Sequence, residues 1–273
     1  MITITYVTIT YNAAAMLQRT LDSILRQDYP HIQHLIIDGA STDDTLRMVD
    51  DYIARSNAAD NGHDVQVTSE PDHGIYDAMN KGLRSATGDY VCFMNAGDFL
   101  PADDTVSRIV SSITSTPLPA VLYGDTDIVD NEGRFLRHRR LCPPEKLTWR
   151  SFRQGMLVCH QAFYARVDFA MQNPYDTTFR FSADVDWCIR IMKQAEDEGI
   201  PLQNLHRVVA NYTEEGQTTQ NHRASLRERY RVMQRHYGTI QTFLLHCWFV
   251  VRAVGKNSKD WGLYRVCRLI LLV

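Results

Sequence analysis

Side chains that could hold a divalent cation against a diphosphate follow a continuous apolar segment, residues 90–94. The next four residues are Asn95-Ala-Gly-Asp98, and carboxylate and other side-chain oxygens are the ligands that hard divalent cations accept. A cation held there would stabilise the negative charge of a diphosphate. The chemistry that this turn indicates is transfer of a phosphoryl group or of a sugar.

Polar residues recur at the ends of the four strand-like segments in the first hundred residues. Solvation of a loop explains any one of them equally well, but four occurrences together indicate a binding site. They are Tyr11 and Asn12 after the first segment, Asp38 after the second, Glu70 and Asp72 after the third, and Asn95 and Asp98 after the fourth.

Strand-like and helix-like segments alternate through the region that carries these residues. Residues 2–10 are rich in Ile, Thr and Val, whereas residues 13–27 have apolar side chains at helical spacing. This alternation predicts an α/β fold with a mostly parallel, doubly wound sheet, whose ligand site lies at the carboxyl ends of the strands. Further strands are predicted at 35–37, 65–68, 90–94 and 120–123, and further helices at 46–53, 74–86, 105–113, 184–198, 221–237 and 240–254.

The composition is that of a globular protein with one large domain and a modest extension, with 273 residues of which 44% are hydrophobic. Six cysteines lie far apart without zinc-ligand spacing, which indicates thiols in a reducing compartment. The amino terminus lacks the pattern of a signal peptide, and no segment is apolar for long enough to span a bilayer. We therefore expect a cytoplasmic protein.

Four motifs together resemble the family 2 glycosyltransferases of the GT-A fold. No GxGxxG or Walker lysine loop is present, which disfavours a Rossmann dehydrogenase or a P-loop kinase. The resemblance covers roughly residues 1–240 and is closest to bacterial capsule, exopolysaccharide and O-antigen transferases. The motifs are Val7-Thr-Ile-Thr-Tyr-Asn12, Asp38-Gly-Ala-Ser-Thr-Asp-Asp-Thr45, His73-Gly-Ile-Tyr-Asp-Ala-Met-Asn-Lys-Gly82 and Asn95-Ala-Gly-Asp98.

The resemblance implies a GT-A, Rossmann-like domain that binds a nucleotide-sugar donor. Thr8, Tyr11 and Asp38 would frame the nucleobase and favour uracil. Where the family's metal motif is acidic, this chain retains only Asp98, beside the weaker ligand Asn95; we still expect Mg²⁺ or Mn²⁺ to bind. The remaining donor-binding residues implied are Asn12, Asp72, Asp77, Asn80, Lys81 and Asn95.

The resemblance also implies residues that act on the acceptor. Asp184 at the start of a helix is the expected general base, and Asp186 is its rival; both aspartates would alternatively serve only the helix dipole. The pair His160 and Gln161 would belong to the acceptor site. His222 and Arg223 would close over the donor phosphates. A single displacement would invert the configuration of the transferred sugar.

The net charge of −3 combines two regions of opposite sign. Residues 221–273 contain ten Lys and Arg against Glu228 and Asp260, a balance of +8, so that residues 1–220 carry −11. We predict a catalytic domain over 1–220 and a basic, apolar helical extension over 221–273. The extension is expected to meet the inner face of the membrane; the alternative is a helical cap or a homodimer contact.

Two other functions fit parts of the sequence. Asp125 and Asp127 loosely resemble the nucleophile motif of haloacid dehalogenase-like phosphatases, although four strand–helix units precede them. The altered metal motif also fits a catalytically inactive module that binds a sugar nucleotide. The expected acceptor of an active enzyme is a glycan or a polyprenyl-diphosphate-linked glycan, and no nucleic-acid partner is expected.

Overall fold

Residues 1–213 and 222–256 are described by the computed structural model, and the chain divides into two units, Met1–Gly216 and Gln217–Val273. Two short 3-10 helices, Trp149–Gln154 and His160–Ala162, precede the seventh strand. The strands are β1 (Ile4–Thr10), β2 (Ile32–Asp38), β3 (Asp64–Ser69), β4 (Tyr90–Phe93), β5 (Val121–Val129), β6 (Phe135–His138), β7 (Phe163–Arg166) and β8 (Leu202–Thr213). The helices are α1 (Ala14–Leu25), α2 (Thr45–Ala59), α3 (Ile75–Ser85), α4 (Thr105–Ser111), α5 (Val167–Gln172), α6 (Ala183–Asp197), α7 (His222–Tyr237) and α8 (Thr239–Lys256).

A single mixed sheet forms the centre of the first unit. Its strand order is β3-β2-β1-β4-β7-β5-β6, with β8 paired to β5. β1 runs parallel to β2 and β4, β2 to β3, and β5 to β8, whereas β7 is antiparallel to β4 and β5. The prediction of an α/β fold with a mostly parallel sheet is confirmed. β7, α5 and β8 were not predicted, and β5 extends beyond the predicted segment 120–123.

Helices cover both faces of the parallel half, so β1, β2 and β4 are buried on both sides, whereas the edge strand β3 is mostly exposed. α1 and α2 pack on one face through a cluster that contains Leu17, Leu21 and Val49. On the other face, a Cβ added at Gly82 of α3 would collide with Val7 Cγ1. The absence of that Cβ allows α3 to lie directly on β1 and fixes its amino terminus at the carboxyl edge of the sheet.

Aromatic packing holds α6 against the same face as α3. Trp187 of α6 is fully buried and stacks on Tyr175, with ring centroids 4.8 Å apart and 14° between planes. Phe93 and Phe163 meet the indole edge-to-face. The amino terminus of α6 is therefore held by strands β4 and β7, close to the turn that follows β4.

The described part of the second unit is a pair of helices joined at Gly238, whose φ of 82° lies in the left-handed region that favours glycine. Tyr230 of α7 meets His246 of α8 with ring centroids 4.7 Å apart. Within residues 1–213 and 222–256, no helix has the length and apolarity required to cross a membrane.

Candidate active site

The carboxylate of Asp38 ties together the ends of β1, β2 and β3. It is fully buried and accepts hydrogen bonds from the hydroxyls of Thr10, Ser41 and Ser69 and from the backbone N–H of Ser41. Burial alone would raise the pKa of Asp38, but these hydrogen bonds outweigh it and hold the pKa below its ordinary value. Asp38 is thus a fixed negative charge at this edge of the sheet.

An open aromatic surface lies beside this carboxylate. The side chain of Tyr11 is 66% exposed. A Cβ built on Gly39 would lie 2.6 Å from Asp72 Oδ2 and 3.3 Å from Tyr11 Cδ2, so the ring and the carboxylate flank one glycine. Asn12 braces the loop, because its Oδ1 accepts a hydrogen bond from the Thr42 backbone N–H at 2.9 Å. The arrangement offers a stacking face next to hydrogen-bond acceptors.

Three predicted donor-binding residues have their polar groups engaged by the protein. Thr8 is buried, and its hydroxyl is 2.9 Å from His34 Nε2. The amide of Asn80 donates to the Tyr175 carbonyl and accepts from the Tyr175 N–H. Lys81 pairs with Glu70 at 2.9 Å and donates to the Pro71 carbonyl. In the structure, these three side chains therefore bind other parts of the protein. Their contact with a donor remains a prediction.

Two aspartates accept hydrogen bonds from the backbone of the loop that leads into α3. Asp77 accepts a hydrogen bond from the His73 N–H at 3.0 Å, and Asp72 accepts one from the Gly74 N–H at 2.8 Å. Gly74 has φ of 111°, a conformation for which glycine is suited. These bonds fix the loop 72–74 next to Gly39 and keep both carboxylates at the open edge.

Asp98 is a buried carboxylate in the turn after β4. Only 7% of the residue is exposed, and Gln161 Nε2 donates to its Oδ2 at 2.8 Å. Burial raises the pKa of Asp98 to about 6, against smaller opposing contributions from Gln161 and His160. The ionised form of this group is therefore held at a cost in the absence of a cation.

The residues of this turn fit a hard divalent cation. Asn95 Oδ1 is a buried acceptor for which the described residues provide no hydrogen-bond donor, and it shares the turn with the Asp98 carboxylate. An acceptor left without a donor in this way is expected to have a water molecule, a ligand or an ion as partner. No cluster of three or more His, Cys, Asp or Glu side chains occurs within 1–213 and 222–256, so further ligands would come from the donor phosphates or water.

A chain of polar contacts leads from this turn to α6. Asn95 Nδ2 is 3.1 Å from His160 Nε2, and His160 Nδ1 is 3.6 Å from Asp184 Oδ2. Because an amide nitrogen only donates, His160 Nε2 is the acceptor in this contact and a ring proton lies on Nδ1, toward Asp184. On its other side, Asp184 Oδ1 accepts a hydrogen bond from Tyr76 at 3.3 Å.

Comparisons with known proteins show the family of this chain. The sequence model described as "Glycosyl transferase family 2" matches residues 5–172. The chain belongs to glycosyl transferase family 2. It is 34% identical to the PGL/p-HBAD biosynthesis glycosyltransferase of Mycobacterium tuberculosis over 212 residues, and this match covers 76% of this chain and 75% of that protein.

Two solved structures share the fold of this chain. The structure of Staphylococcus aureus TarS in complex with UDP is 16% identical, covers 93% of this chain and 72% of that chain, and gives a TM-score of 0.66. Glucosyl-3-phosphoglycerate synthase from M. tuberculosis, solved with Mn²⁺, UDP and glucosyl-3-phosphoglycerate, is 17% identical and gives a TM-score of 0.58 over 86% of this chain and 80% of that chain. At these identities the likeness concerns the GT-A fold.

The two aspartates of α6 in this family 2 chain have different surroundings. Asp186 is fully buried and pairs with Arg190 Nε at 2.7 Å, and Arg190 also donates to the Pro174 carbonyl. Asp184 retains some exposure, with 18% of its side chain accessible. The placement favours Asp184 over Asp186 as the group that an acceptor hydroxyl could reach.

Four other candidates lie elsewhere. Asp125 and Asp127 lie inside β5, paired with β8, and Asp127 contacts His138 at 2.7 Å; membership of glycosyl transferase family 2 overturns the phosphatase interpretation. His222 and Arg223 begin α7 in the second unit, and the polar loop before them, residues 214–221, lies outside the described residues. Their role at the donor phosphates stays a prediction.

Sequence reasoning missed Tyr76, which contacts the candidate base. Its only signal is its place within the motif His73–Gly82, where helical spacing puts it on the buried face with Met79 and Leu83. It also missed Ser41 and Ser69 as partners of Asp38. Ser41 is only three residues away, inside the motif that begins at Asp38, whereas nothing in one sequence pairs Asp38 with Ser69, about thirty positions away.

Proposed function

We propose that this glycosyltransferase is an inverting enzyme that moves a sugar from a nucleoside diphosphate donor, favoured to be a UDP-sugar, to a hydroxyl of a glycan or a polyprenyl-diphosphate-linked glycan in surface polysaccharide biosynthesis. The observation that carries the proposal is the chain Asn95–His160–Asp184, with contacts of 3.1 and 3.6 Å. It places a partly exposed carboxylate beside the turn that fits a cation. A base and a diphosphate site side by side are what a direct displacement requires.

A uracil nucleotide suits the edge formed by Tyr11 and Asp38. The exposed phenol ring supplies a face for stacking, and the fixed negative charge of Asp38 favours a base that presents an N–H. TarS was solved with UDP and glucosyl-3-phosphoglycerate synthase with UDP and Mn²⁺, which supports the same donor class here. The mannosyltransferase PcManGT of Pyrobaculum calidifontis, which has a similar fold, was solved with GDP-Man. The test below therefore compares donors with different nucleotides.

Asp98 and Asn95 are the residues that would hold Mg²⁺ or Mn²⁺. The cation would supply charge stabilisation for the diphosphate leaving group. Binding would favour the ionised form of Asp98, whose pKa burial raises to about 6. Gln161 holds Asp98 Oδ2 at 2.8 Å and so orients the carboxylate.

Asp184 would take the proton from the acceptor hydroxyl at Oδ2 as that hydroxyl attacks the anomeric carbon. His160 Nδ1 lies 3.6 Å from the same oxygen, and a proton on that nitrogen would stabilise the negative charge of Oδ2 before the transfer. No enzyme nucleophile intervenes, so the bond to the leaving diphosphate breaks as the new glycosidic bond forms on the opposite face. An α-linked donor then gives a β-linked product.

The test is a screen of UDP-, GDP- and dTDP-sugars with Mg²⁺ or Mn²⁺, which measures release of nucleoside diphosphate and the anomeric configuration of the product by NMR. Asp184→Asn should lower kcat by about 10²- to 10⁴-fold, the typical contribution of a general base. The matched control is Asp168→Asn, because Asp168 also lies in the first turn of a helix but is 54% exposed and pairs with Arg166. If the protein binds nucleotides but releases no nucleoside diphosphate from any donor, the alternative of a catalytically inactive module that binds a sugar nucleotide holds instead.

We further propose that the protein works at the cytoplasmic face of the membrane, where residues 221–273 would meet the lipid surface. Exposed apolar side chains on α8 support this, and sedimentation with anionic vesicles tests it. If the protein stays in the supernatant and light scattering gives a dimer, the homodimer alternative holds. The exposed side chains are Ile240, Phe243, Leu244, Trp248 and Val251.

A further inference from the structure

Tyr76 lies where helix α3 meets the candidate base. It occupies the first turn of α3, only 8% of the residue is exposed, and its hydroxyl donates to Asp184 Oδ1 at 3.3 Å. The Val185 N–H donates to the same oxygen at 2.9 Å. Oδ1 is therefore held from two sides, and Oδ2 is the oxygen that lies 3.6 Å from His160 Nδ1.

An aromatic stack fixes the ring of Tyr76. The ring lies parallel to that of Tyr175, with centroids 5.4 Å apart and 21° between planes, and Tyr175 stacks in turn on Trp187. Trp187 is three residues after Asp184 in α6, so both ends of this arrangement belong to one helix. The stack restricts the position from which the Tyr76 hydroxyl reaches Asp184.

Asn80 completes the connection between the two helices. It is one helical turn after Tyr76, and its amide forms two hydrogen bonds with the backbone of Tyr175, at 2.9 and 2.8 Å. Tyr175 is thus held by α3 through Tyr76 and Asn80 and by α6 through Trp187. The helix that presents Asp77 at the open edge of the sheet also sets the place of the Asp184 carboxylate.

We propose that Tyr76 is a positioning residue for Asp184, which fixes Oδ1 so that Oδ2 is presented to the acceptor hydroxyl. This inference rests on the proposed function, since it gives a role in the transfer to a residue that acts through the base. Tyr76 itself need not touch donor or acceptor. Its contribution is the hydroxyl, and the ring serves the stack.

The groups that face Asp184 come from several elements. Tyr76 approaches from α3, His160 and Cys159 from the 3-10 helix and the residue before it, Tyr175 from the loop before α6, and Cys188 from α6 itself. Burial raises the pKa of Tyr175, Cys159 and Cys188, so these three stay neutral at working pH.

Loss of the Tyr76 hydroxyl has a defined sign. An O–H that donates to a carboxylate favours the ionised form, so Tyr76→Phe should raise the pKa of Asp184 and move the acidic limb of the kcat profile to higher pH, by about one pH unit. At a pH on that limb, kcat should fall by about tenfold, whereas the KM for the donor should change little. A merely structural role would not move the acidic limb.

The experiment compares the full chain with its Tyr76→Phe and Tyr90→Phe variants. Tyr90 is the matched control, because its buried hydroxyl also donates one hydrogen bond, to the Pro119 carbonyl at 2.8 Å, at the opposite end of β4. The measurements are the pH profile of kcat and the titration of the Asp184 carboxyl by ¹³C NMR without substrate. A displacement to higher pH in Tyr76→Phe alone supports the proposal.

An unchanged or lowered Asp184 titration in Tyr76→Phe would overturn the proposal, as would an equal displacement in Tyr90→Phe. If circular dichroism shows that Tyr76→Phe is partly unfolded, the titration of all three proteins is measured at a lower temperature at which the variant is fully folded, since the displacement should persist there. Absence of transfer by the wild-type chain would contradict the proposed function, whereas the carboxyl titration would still decide the role of Tyr76.

Discussion

Replacing Asp98 with asparagine should stabilise the protein while it removes a candidate metal ligand. The carboxylate is buried and its pKa is about 6, compared with an ordinary value of 3.8. That difference is roughly two pKa units, and at about 1.4 kcal/mol for each unit it corresponds to about 3 kcal/mol at neutral pH. The asparagine can still accept the hydrogen bond from Gln161.

The pH dependence of this effect has a definite sign. Between pH 3.8 and about 6, the folded protein binds a proton at Asp98 that the unfolded chain does not. The contribution of Asp98 to the free energy of unfolding therefore becomes less favourable as pH rises through this range. Asp98→Asn should exceed the wild type by up to about 3 kcal/mol at pH 7.5 and by little near pH 4.

The assay is chemical denaturation in EDTA at both pH values, followed by tryptophan fluorescence, with nucleoside diphosphate release measured in Mn²⁺. Asp38→Asn is the contrasting variant: its carboxylate is equally buried, but hydrogen bonds hold its pKa low, so this substitution should destabilise at neutral pH. A wild type at least as stable as Asp98→Asn at pH 7.5, or a difference that is the same at both pH values, would refute the reasoning.

Two more substitutions test the division between scaffold and site. Asp186→Ala removes the buried partner of Arg190 and should lower the free energy of unfolding by about 3 kcal/mol. At a low temperature, where the variant is fully folded, its kcat should change little. A large loss of kcat in the fully folded variant would instead favour Asp186 as the base. Tyr11→Ala removes the exposed ring and should raise the KM for the donor by about ten- to a hundredfold, the size of one lost stacking contact, with unchanged thermal unfolding; an unaltered KM would mean that the nucleobase binds elsewhere.

The parallel half of the fold could be predicted because most of its strands and helices can be recognised from the hydropathy pattern of a single segment. β2 is buried at every position, and its residues 35–37 read as one apolar segment. The polar residue that follows them, Asp38, falls at the edge where the ligand is expected. β7 has only four residues and lies antiparallel between β4 and β5. A pattern of four residues is too short to predict a strand or the two strands with which it pairs. β8 is half-buried along most of its length, and its mixed polarity conceals it.

The candidate site could be predicted in part for similar reasons. Asp184 and Asp186 are two positions apart, so in a helix they point in widely different directions, and only packing decides which of them lies beside His160. Asn80 shares the buried face of α3 with Met79 and Leu83, which already indicates a structural partner. The distant pair Asp98 and Gln161 depends on tertiary contacts that spacing does not encode.

The hydrogen bonds of Asp38 also bear on how this site can change through evolution. Substituting this aspartate would release loops from three strands at once, since Thr10, Ser41 and Ser69 all depend on it. Selection for folding would then preserve the residue even in a descendant that no longer bound any nucleotide. A lineage can therefore lose or exchange its donor by altering Tyr11, which the scaffold leaves open, while the neighbouring aspartate gives no sign that the specificity has changed.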